Sequence, residues 1–417
     1  MSMSRRTFLG ASLAATTVAA SEMPPTAEAT DSAGELAFSP VGDLVGKITV
    51  GYQGWYGCAG DGQALGWWHT GKTWNQLPSA DNETFWAWPD VRDYDHVYAT
   101  GYPNLGNGQP ASLFSNYDYQ TVDTHFRWMQ ETSIDTVALQ RFNPTGIEGP
   151  PRDAITAHVR TAAEKYRRKF YIMYDIGSWV NMQTEVKQDW LAKMSAYTAS
   201  SAYARQNGRP VVGFWGFGFT EAHDFTPEVC LEVISWFQAQ GCYVMGGVPQ
   251  AWRDGVNDSR AGYHDVYRSL DALTPWMISR IHNAGDSDNF YNWDTVKDVA
   301  ECMAFGVDYQ PCVIPGDLNQ RDRAHGDFMW RQFYNVIRAG SPAVFVAMFD
   351  EYNESNQIAK TAESLDFVPK GSKFIGLDED GTKCTADYYM RLTGDGGRML
   401  KGTIALTATR PTVPWID

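Results

Sequence analysis

The sequence predicts an α/β protein built as a (β/α)8 barrel. Strand-like apolar segments alternate with amphipathic segments of helical spacing along most of the chain. The apolar run at residues 342–349 is typical of a parallel strand that is covered on both faces. The first predicted strand leads into Gln53-Gly-Trp-Tyr-Gly57, which is not a phosphate-binding loop. This disfavours the alternative of an open doubly wound sheet.

The predicted elements follow one another in the order that a barrel requires. The strand predictions cover residues 48–52, 136–140, 170–174, 211–215, 243–246, 276–279, 310–314 and 343–349. The helix predictions cover residues 119–130, 154–166, 186–197, 227–238, 293–305 and 328–337, with a final helix at 386–392. Thr226 and Pro227 form a typical helix start, an N-cap residue followed by proline in the first turn.

The chain is interpreted as three segments. Residues 1–30 contain the pair Arg5-Arg6, a short apolar stretch and small residues, which is typical of a twin-arginine signal peptide. Residues 31–46 are interpreted as a linker and residues 47–417 as a single catalytic barrel domain. The signal predicts export to the periplasm or the extracellular space. No other segment reaches the roughly eighteen apolar residues of a membrane helix.

A long segment after the first strand, from residue 53 to residue 116, exceeds the length of an ordinary loop. We interpret it as an insertion on the upper face of the barrel. It is rich in tryptophan, with indoles at Trp55, Trp67, Trp68, Trp74, Trp86 and Trp88.

Composition and charge limit the classes of partner. The net charge of −15 argues against nucleic acid and anionic membranes. Aromatic residues make up 14 % of the chain, which suits stacking on sugar rings and equally suits an aromatic core. The six cysteines and eight histidines form no metal-binding motif, so no metal or cofactor is implied. A serine hydrolase is disfavoured because no G-x-S-x-G motif is present.

Candidate site residues lie where the predicted strands end, because barrel active sites are built at the carboxyl ends of the strands. Each such residue could equally have a structural role, but together they resemble the lining of a sugar-binding cleft. The predicted substrate-binding residues are Trp55, Arg141, Tyr174, Asp175, Trp215, Trp252, Arg253, Arg280 and Tyr352.

An acidic cluster, Asp350-Glu-Tyr-Asn-Glu354, follows the last predicted strand. Acids at the mouth of a buried strand are costly to desolvate, and two differently tuned carboxyl groups are the usual equipment for cleaving a glycosidic bond. Asp350 is the weakest candidate of the three acids because it could point into the barrel wall. Glu351 and Glu354 are therefore the predicted catalytic pair.

Several motifs together resemble glycoside hydrolase family 99, the endo-α-mannosidases, and the related family 71/99-like bacterial proteins. Glu351-Tyr-Asn-Glu354 resembles the paired-glutamate motif of that family. The other motifs are Val50-Gly-Tyr-Gln-Gly-Trp55, Ile172-Met-Tyr-Asp175, Gly246-Gly-Val-Pro249, Tyr309-Gln-Pro311 and Phe349-Asp-Glu-Tyr352. The resemblance covers residues 47 to about 360.

The resemblance implies a role for each glutamate. Glu351 would act as a base on the 2-hydroxyl of the sugar, which displaces the leaving group and forms a 1,2-anhydro intermediate. Glu354 would act as the acid and then as the base for water. The expected function is a secreted, retaining and endo-acting hydrolase of an α-linked polysaccharide, with α-mannan as the expected substrate.

Two alternatives stay open at this stage. One is an inverting α-1,3-glucanase like those of family 71, and the other is a glycan-binding barrel without catalysis. The sugar, the linkage, the disulfide pairing and the oligomeric state are left open by the sequence.

Overall fold

Eight parallel strand positions form a closed barrel in the computed structural model, which describes residues 37–221 and 224–416. This confirms the predicted fold class. The barrel strands are β1 Ile48–Tyr52, β2 Thr136–Arg141, β3 Lys169–Asp175, β4 Arg209–Trp215, β5 Tyr243–Val248, β6 Ala272–Pro275, β7 in two halves at Asp308–Tyr309 and Cys312–Val313, and β8 Val344–Val346.

Closure of the barrel depends on the interrupted strand β7. Its first half pairs with β6 and its second half pairs with β8, both in parallel. The N–H of Gln310 donates to the carbonyl of Leu273 at 2.9 Å, and the N–H of Phe345 donates to the carbonyl of Pro311 at 3.0 Å. Because β8 also pairs with β1, hydrogen bonding runs around the whole barrel.

Helices surround the barrel and pack their apolar faces on it. They are α1 Tyr119–Glu131, α2 Gly149–Tyr166, α3 Met182–Ala192, α4 Pro227–Ala239, α5 His264–Ser269, α6 Ala284–Phe290, α7 Val296–Phe305, α8 Asp327–Arg338 and α9 Tyr388–Leu400. A π-helical turn, Tyr291–Thr295, joins α6 to α7. The side chain of Thr226 accepts a hydrogen bond from the N–H of Val229, so the predicted start of α4 is confirmed. In the described part of the chain, no helix is both long and apolar enough to cross a membrane.

The insertion after β1 packs over the carboxyl ends of the barrel strands. It contains one two-stranded ladder, Tyr98–Ala99 with Ser112–Leu113. Its core includes the buried rings of Phe85, Trp88 and Phe114, which join the core of the barrel. The backbone N–H groups of residues 86 and 87 both donate to the carbonyl of Tyr352 in the loop after β8. The insertion is therefore part of the structure that surrounds the acidic cluster.

The prediction and the structure differ most between β5 and α7. Strand β6 is Ala272–Pro275, so the prediction at 276–279 was wrong. It placed the start of the strand four residues too late. Apolar residues continue after the strand at Trp276, Met277 and Ile278, so the pattern does not mark where the strand ends. Helix α5 was not predicted, and the helical segment before residue 305 begins at Ala284.

The N-terminal predictions fall largely outside the described residues. This applies to the whole signal-peptide segment 1–30 and to residues 31–36 of the segment interpreted as a linker. Residues 37–46 contact the amino-terminal end of the barrel, where the N–H of Ser39 donates to Asp308 at 2.7 Å. The N–H of Gly46 donates to the carbonyl of Pro342, also at 2.7 Å. All six cysteines are buried and free.

Candidate active site

The acidic cluster lies at the carboxyl end of β8, next to the end of β1. Glu351 is buried, and one of its carboxylate oxygens accepts a hydrogen bond from Gln53 Nε2 at 2.7 Å. Glu354 is exposed, and its carboxylate is 3.4 Å from Asn356 Nδ2. The N–H of Glu354 donates to the carbonyl of Glu351, so one tight turn presents both glutamates. We call Glu351 and Glu354 the acidic pair.

Asp350 has a structural position, as its sequence context suggested. Its carboxylate is fully buried and accepts hydrogen bonds from the N–H groups of Gln53 at 2.7 Å and Gly54 at 2.9 Å. Burial raises the pKa of Asp350 to about 6, against the opposing effect of these two N–H donors. Asp350 therefore clamps the end of β8 to the end of β1 and sets the position of Glu351 beside it.

Replacing Asp350 with alanine is expected to destabilise the protein by about 3 kcal/mol, because two buried N–H groups lose their acceptor. The measurement is the urea midpoint of unfolding at unchanged m-value. Asp81→Ala, at an exposed turn residue, is the control and should shift the midpoint little. Equal midpoints for the two variants would show that Asp350 does not clamp the strands.

The two glutamates of the acidic pair influence each other's ionisation. Burial, followed by the negative charge of Glu354, raises the pKa of Glu351 well above its ordinary value. Protein atoms around the carboxyl group of Glu354 raise its pKa too, and the charge of Asp317 adds to this effect. Two interacting carboxyl groups of this kind lose their protons in two steps that belong to the pair. The pair can therefore hold one proton at a pH where an ordinary carboxyl group is ionised.

Several buried polar atoms beside the acidic pair have no hydrogen-bond partner within the described residues. They are Glu351 Oε2, Gln53 Oε1 and Asn356 Oδ1. Buried polar atoms are usually paired, and an unpaired cluster often marks a place where water or a ligand binds. These atoms therefore have hydrogen-bonding capacity that no described residue uses.

The loop after β7 supports the loop that carries the acidic pair. The N–H of Leu318 donates to the carbonyl of Ser355 at 3.0 Å, and the N–H of Asn319 donates to its hydroxyl at 3.3 Å. This contact brings Asp317 close enough to raise the pKa of Glu354. Burial also raises the pKa of Asp317 itself.

The inward-facing positions at the ends of β3 and β4 carry two of the predicted residues. Asp175 accepts a hydrogen bond from the N–H of Gly177 at 2.9 Å, and burial raises its pKa to about 6. The ring of Trp215 lies 5.4 Å from that of Trp276 in an edge-on arrangement. Gly247 makes room for it, because a Cβ there would approach the Trp215 ring to 2.5 Å. These residues supply an acid and two indoles to the mouth of the barrel.

Arg141 and Tyr174 do not line the mouth of the barrel, which corrects the prediction for both. Side chains alternate along a strand, and these two point outward to the helices. Arg141 Nε and Nη2 donate to Asp189 of α3 at 2.6 and 2.5 Å. The hydroxyl of Tyr174 donates to Asp189 at 2.9 Å. All three side chains are buried, so they stabilise the contact between barrel and helices.

Tyr352 and Trp252 are also buried, which corrects the prediction that they bind substrate. The hydroxyl of Tyr352 donates to the carbonyl of Lys360 at 2.9 Å, and its ring packs on Phe85 and Phe114 of the insertion. Trp252 is 2 % exposed and packs edge-on against Tyr267 of α5. Neither ring offers a face to a ligand.

Trp55, Arg253 and Arg280 are partly exposed, and each is held by partners other than the acidic pair. Trp55 stacks on His69 at 4.1 Å and on Phe142 at 5.4 Å, so its ring is held within the insertion and the loop after β2. Arg253 pairs with Asp294 and Asp298 beyond the end of β5. Arg280 donates to Asp258 at 3.0 Å.

Four residues at the barrel mouth or directly behind it are not among the predicted catalytic and substrate-binding residues, although Gln53 follows the end of the first predicted strand. Gln53 and Asn356 contact the pair directly. Trp276 was missed because strand β6 was predicted too late, which placed this residue inside a strand instead of after one. Arg152 of α2 is buried and donates to the carbonyl of Gln53 at 2.6 Å, so it supports the end of β1. Its position on a helix gives no signal, because the predicted site consists of residues at strand ends.

The described residues contain no group of three or more His, Cys, Asp or Glu side chains arranged to hold a metal ion.

Comparison with known proteins gives a fold likeness. No family model matches the chain, and no curated protein matches it in sequence. The GH99 endo-α-mannosidase from Bacteroides thetaiotaomicron in complex with bis-tris-propane has a TM-score of 0.62 and 14 % identity, over 86 % of this chain and 98 % of that one. A second structure of the GH99 endo-α-mannosidase from that organism has a TM-score of 0.59 and 13 % identity, with the same coverage.

The matched region covers nearly the whole of the compared enzyme. Because only 14 % of the residues are identical, the likeness shows the fold alone. The resemblance that the sequence motifs indicated is thus confirmed at the level of architecture. The chain has the barrel fold seen in the GH99 endo-α-mannosidase structures.

Proposed function

We propose that the chain is a glycoside hydrolase that cleaves an α-linked polysaccharide of the α-mannan type with the acidic pair. The observation that carries the proposal is the arrangement of Glu351 and Glu354 on one turn at the barrel mouth, one buried and one exposed, with the pKa raised at both. The fold likeness to an endo-α-mannosidase supports the same reading. Export through the twin-arginine route belongs to the proposal as well.

The proposed reaction has two steps with balanced protons. In the first step Glu351 removes the proton of the 2-hydroxyl while O2 attacks C1. The bond from C1 to the leaving oxygen breaks, and Glu354 donates its proton to that oxygen. A 1,2-anhydro sugar forms. In the second step Glu354 removes a proton from water, which attacks C1, and Glu351 returns its proton to O2. Two inversions at C1 give net retention.

This chemistry selects the configuration of the substrate. O2 can attack C1 from the rear only when it lies trans to the leaving group. An α-mannoside meets this condition and an α-glucoside does not. The expected preference for α-mannosides therefore depends on Glu351 acting on O2. If Glu351 does not contact O2, this preference is not expected.

The acidic pair can hold the single proton that this reaction uses, and because burial raises the pKa of Glu351 well above its ordinary value, the proposal requires bound substrate to place that proton on Glu354. The first step needs Glu351 ionised and Glu354 protonated, which is one proton shared by two carboxyl groups. Raised pKa values keep this proton on the pair at a pH where isolated glutamates are ionised. Gln53 Nε2 donates to Glu351 and favours its charged form.

The experiment is a screen of the purified protein against α-mannans, α-glucans and arabinans, with the product anomers followed by NMR. We expect cleavage of α-mannan with the α-anomer appearing first. An initial β-anomer from an α-1,3-glucan would instead indicate the inverting glucanase. Binding of a glycan without any product after long incubation would indicate a binding protein.

Replacing Asp317 with asparagine is expected to shift the pH dependence of kcat/KM. The negative charge of Asp317 raises the pKa of Glu354, so its removal lowers that pKa. Glu354 must be protonated to act as the acid, and it would lose its proton at a lower pH. The alkaline limb of the profile should therefore move to lower pH while the protein stays folded. An unmoved alkaline limb would show that Glu354 is not the group that sets it.

A further inference from the structure

We infer that the cavity beside the ends of β5 and β6 is a distal sugar-binding subsite, which holds one ring of a glycan whose scissile bond lies at the acidic pair. The inference rests on the proposed function and extends it, because it assigns a place to a remote part of the substrate. It also implies that the enzyme acts on chains longer than a disaccharide.

The cavity has a volume of about 190 Å³. That is below the ~300 Å³ at the small end of sites for drug-sized ligands, so it suits one sugar ring better than a folded oligosaccharide. The side chains that carry the argument are those of Gln250, Arg280, Asn289, Trp293 and Asp294.

The most unusual of these side chains is Trp293, which is 62 % exposed. It lies in the π-helical turn Tyr291–Thr295 between α6 and α7. Single π-turns inside helices are uncommon and occur often at functional sites. A large, exposed indole at the edge of a polar cavity supplies the apolar surface on which the C–H face of a pyranose can stack.

The charged groups of the cavity are held in place by ion pairs, and its side-chain amides remain able to form hydrogen bonds. Arg280 is fixed by Asp258, whose carboxylate also accepts the N–H groups of Gln250 and Ala251. Asp294 is held by Arg253 at 3.2 Å. The side-chain amides of Gln250 and Asn289 make no hydrogen bond to other described residues. Two amides that can donate and accept, with fixed charges beside them, match the paired hydroxyl groups of a sugar.

The cavity and the acidic pair share one face of the barrel. His282, which follows the cavity residue Ile281, lies 2.9 Å from Asp322 in the loop after β7. That loop contacts the loop of the acidic pair, where Leu318 donates to the carbonyl of Ser355. A chain of contacts therefore joins the cavity to Glu354 through three neighbouring strand ends. A glycan lying across this face would meet both places.

The test compares Trp293→Ala with the unchanged protein on a long α-mannan and on a short aryl α-mannoside. We expect KM for the polymer to rise about tenfold, which corresponds to ~1.4 kcal/mol of stacking, and kcat/KM for the aryl glycoside to stay within about twofold. Trp415→Ala, at an exposed tryptophan of the C-terminal tail, is the matched control and should leave both substrates unaffected.

Failure of the inference can be told apart from failure of the proposed function. Unchanged polymer KM in Trp293→Ala, with normal cleavage by the unchanged protein, overturns the inference alone. If no glycan is cleaved at all, the proposed function fails, and binding of the same α-mannan by calorimetry decides the inference. Loss of that binding in Trp293→Ala supports the subsite, and equal binding overturns it.

Discussion

Glu354→Gln should lower turnover of unactivated α-glycans by about 10²–10⁴ and leave the fold intact. Glutamine has nearly the shape of glutamate, but it carries no transferable proton. Glu354 is exposed and makes one long contact with Asn356, so little stability depends on its charge. The measurement is kcat on α-mannan oligosaccharides together with the far-UV circular dichroism spectrum.

The leaving group gives this experiment its specificity. An aryl mannoside with an acidic phenol needs little help from a general acid, so Glu354→Gln should retain far more activity on it than on a natural glycan. Glu228→Gln, at an exposed position in the first turn of α4, is the control and should behave like the unchanged protein. Equal losses on good and poor leaving groups would assign Glu354 to a role other than the acid.

Asp189→Ala should destabilise the protein by about 3–5 kcal/mol, because it leaves the buried guanidinium of Arg141 without its main partner. Arg141 is 1 % exposed and Asp189 is 3 % exposed at their side chains. The remaining acid, Asp153, contacts Arg141 at 2.9 Å but is itself 33 % exposed. The free energy of unfolding from urea titration is the measurement.

Two comparisons distinguish the cost of leaving a buried charge without its partner from the cost of losing an ordinary ion pair. Glu131→Ala breaks the exposed pair with Arg127 and should cost below about 1 kcal/mol. The double replacement of Arg141 by methionine and Asp189 by leucine removes both charges, so it should recover much of the loss. A cost for Asp189→Ala no greater than that for Glu131→Ala would contradict the account.

Much of the architecture could be predicted from local patterns. Strand β1 was predicted at its observed bounds, and β2 to β5 were predicted to within two residues at each end. These strands are apolar runs with polar or glycine-containing ends, and the helices between them have clear helical spacing. The prediction failed at β6, where apolar residues continue past the strand into the loop that carries Trp276.

The candidate site was predicted less completely. Its acidic pair could be recognised because Glu351 and Glu354 end a long apolar run, which is an unusual place for two acids. Arg141 and Tyr174 were assigned to the same site on equal grounds, since each also stands at a strand end. They face the helices instead, while their neighbours Gln140 and Asp175 face the interior.

The sequence by itself determined the alternation of strands and helices and the position of the acidic pair, because both are written in runs of neighbouring residues. Only the tertiary structure decided which polar side chain at each strand end points inward. Side chains alternate with a period of two along a strand. A shift of one residue in the strand register therefore turns a side chain from the barrel interior to the helix layer. That shift is set by pairing between strands that are far apart in the chain, such as β1 with β8, and no local pattern contains it.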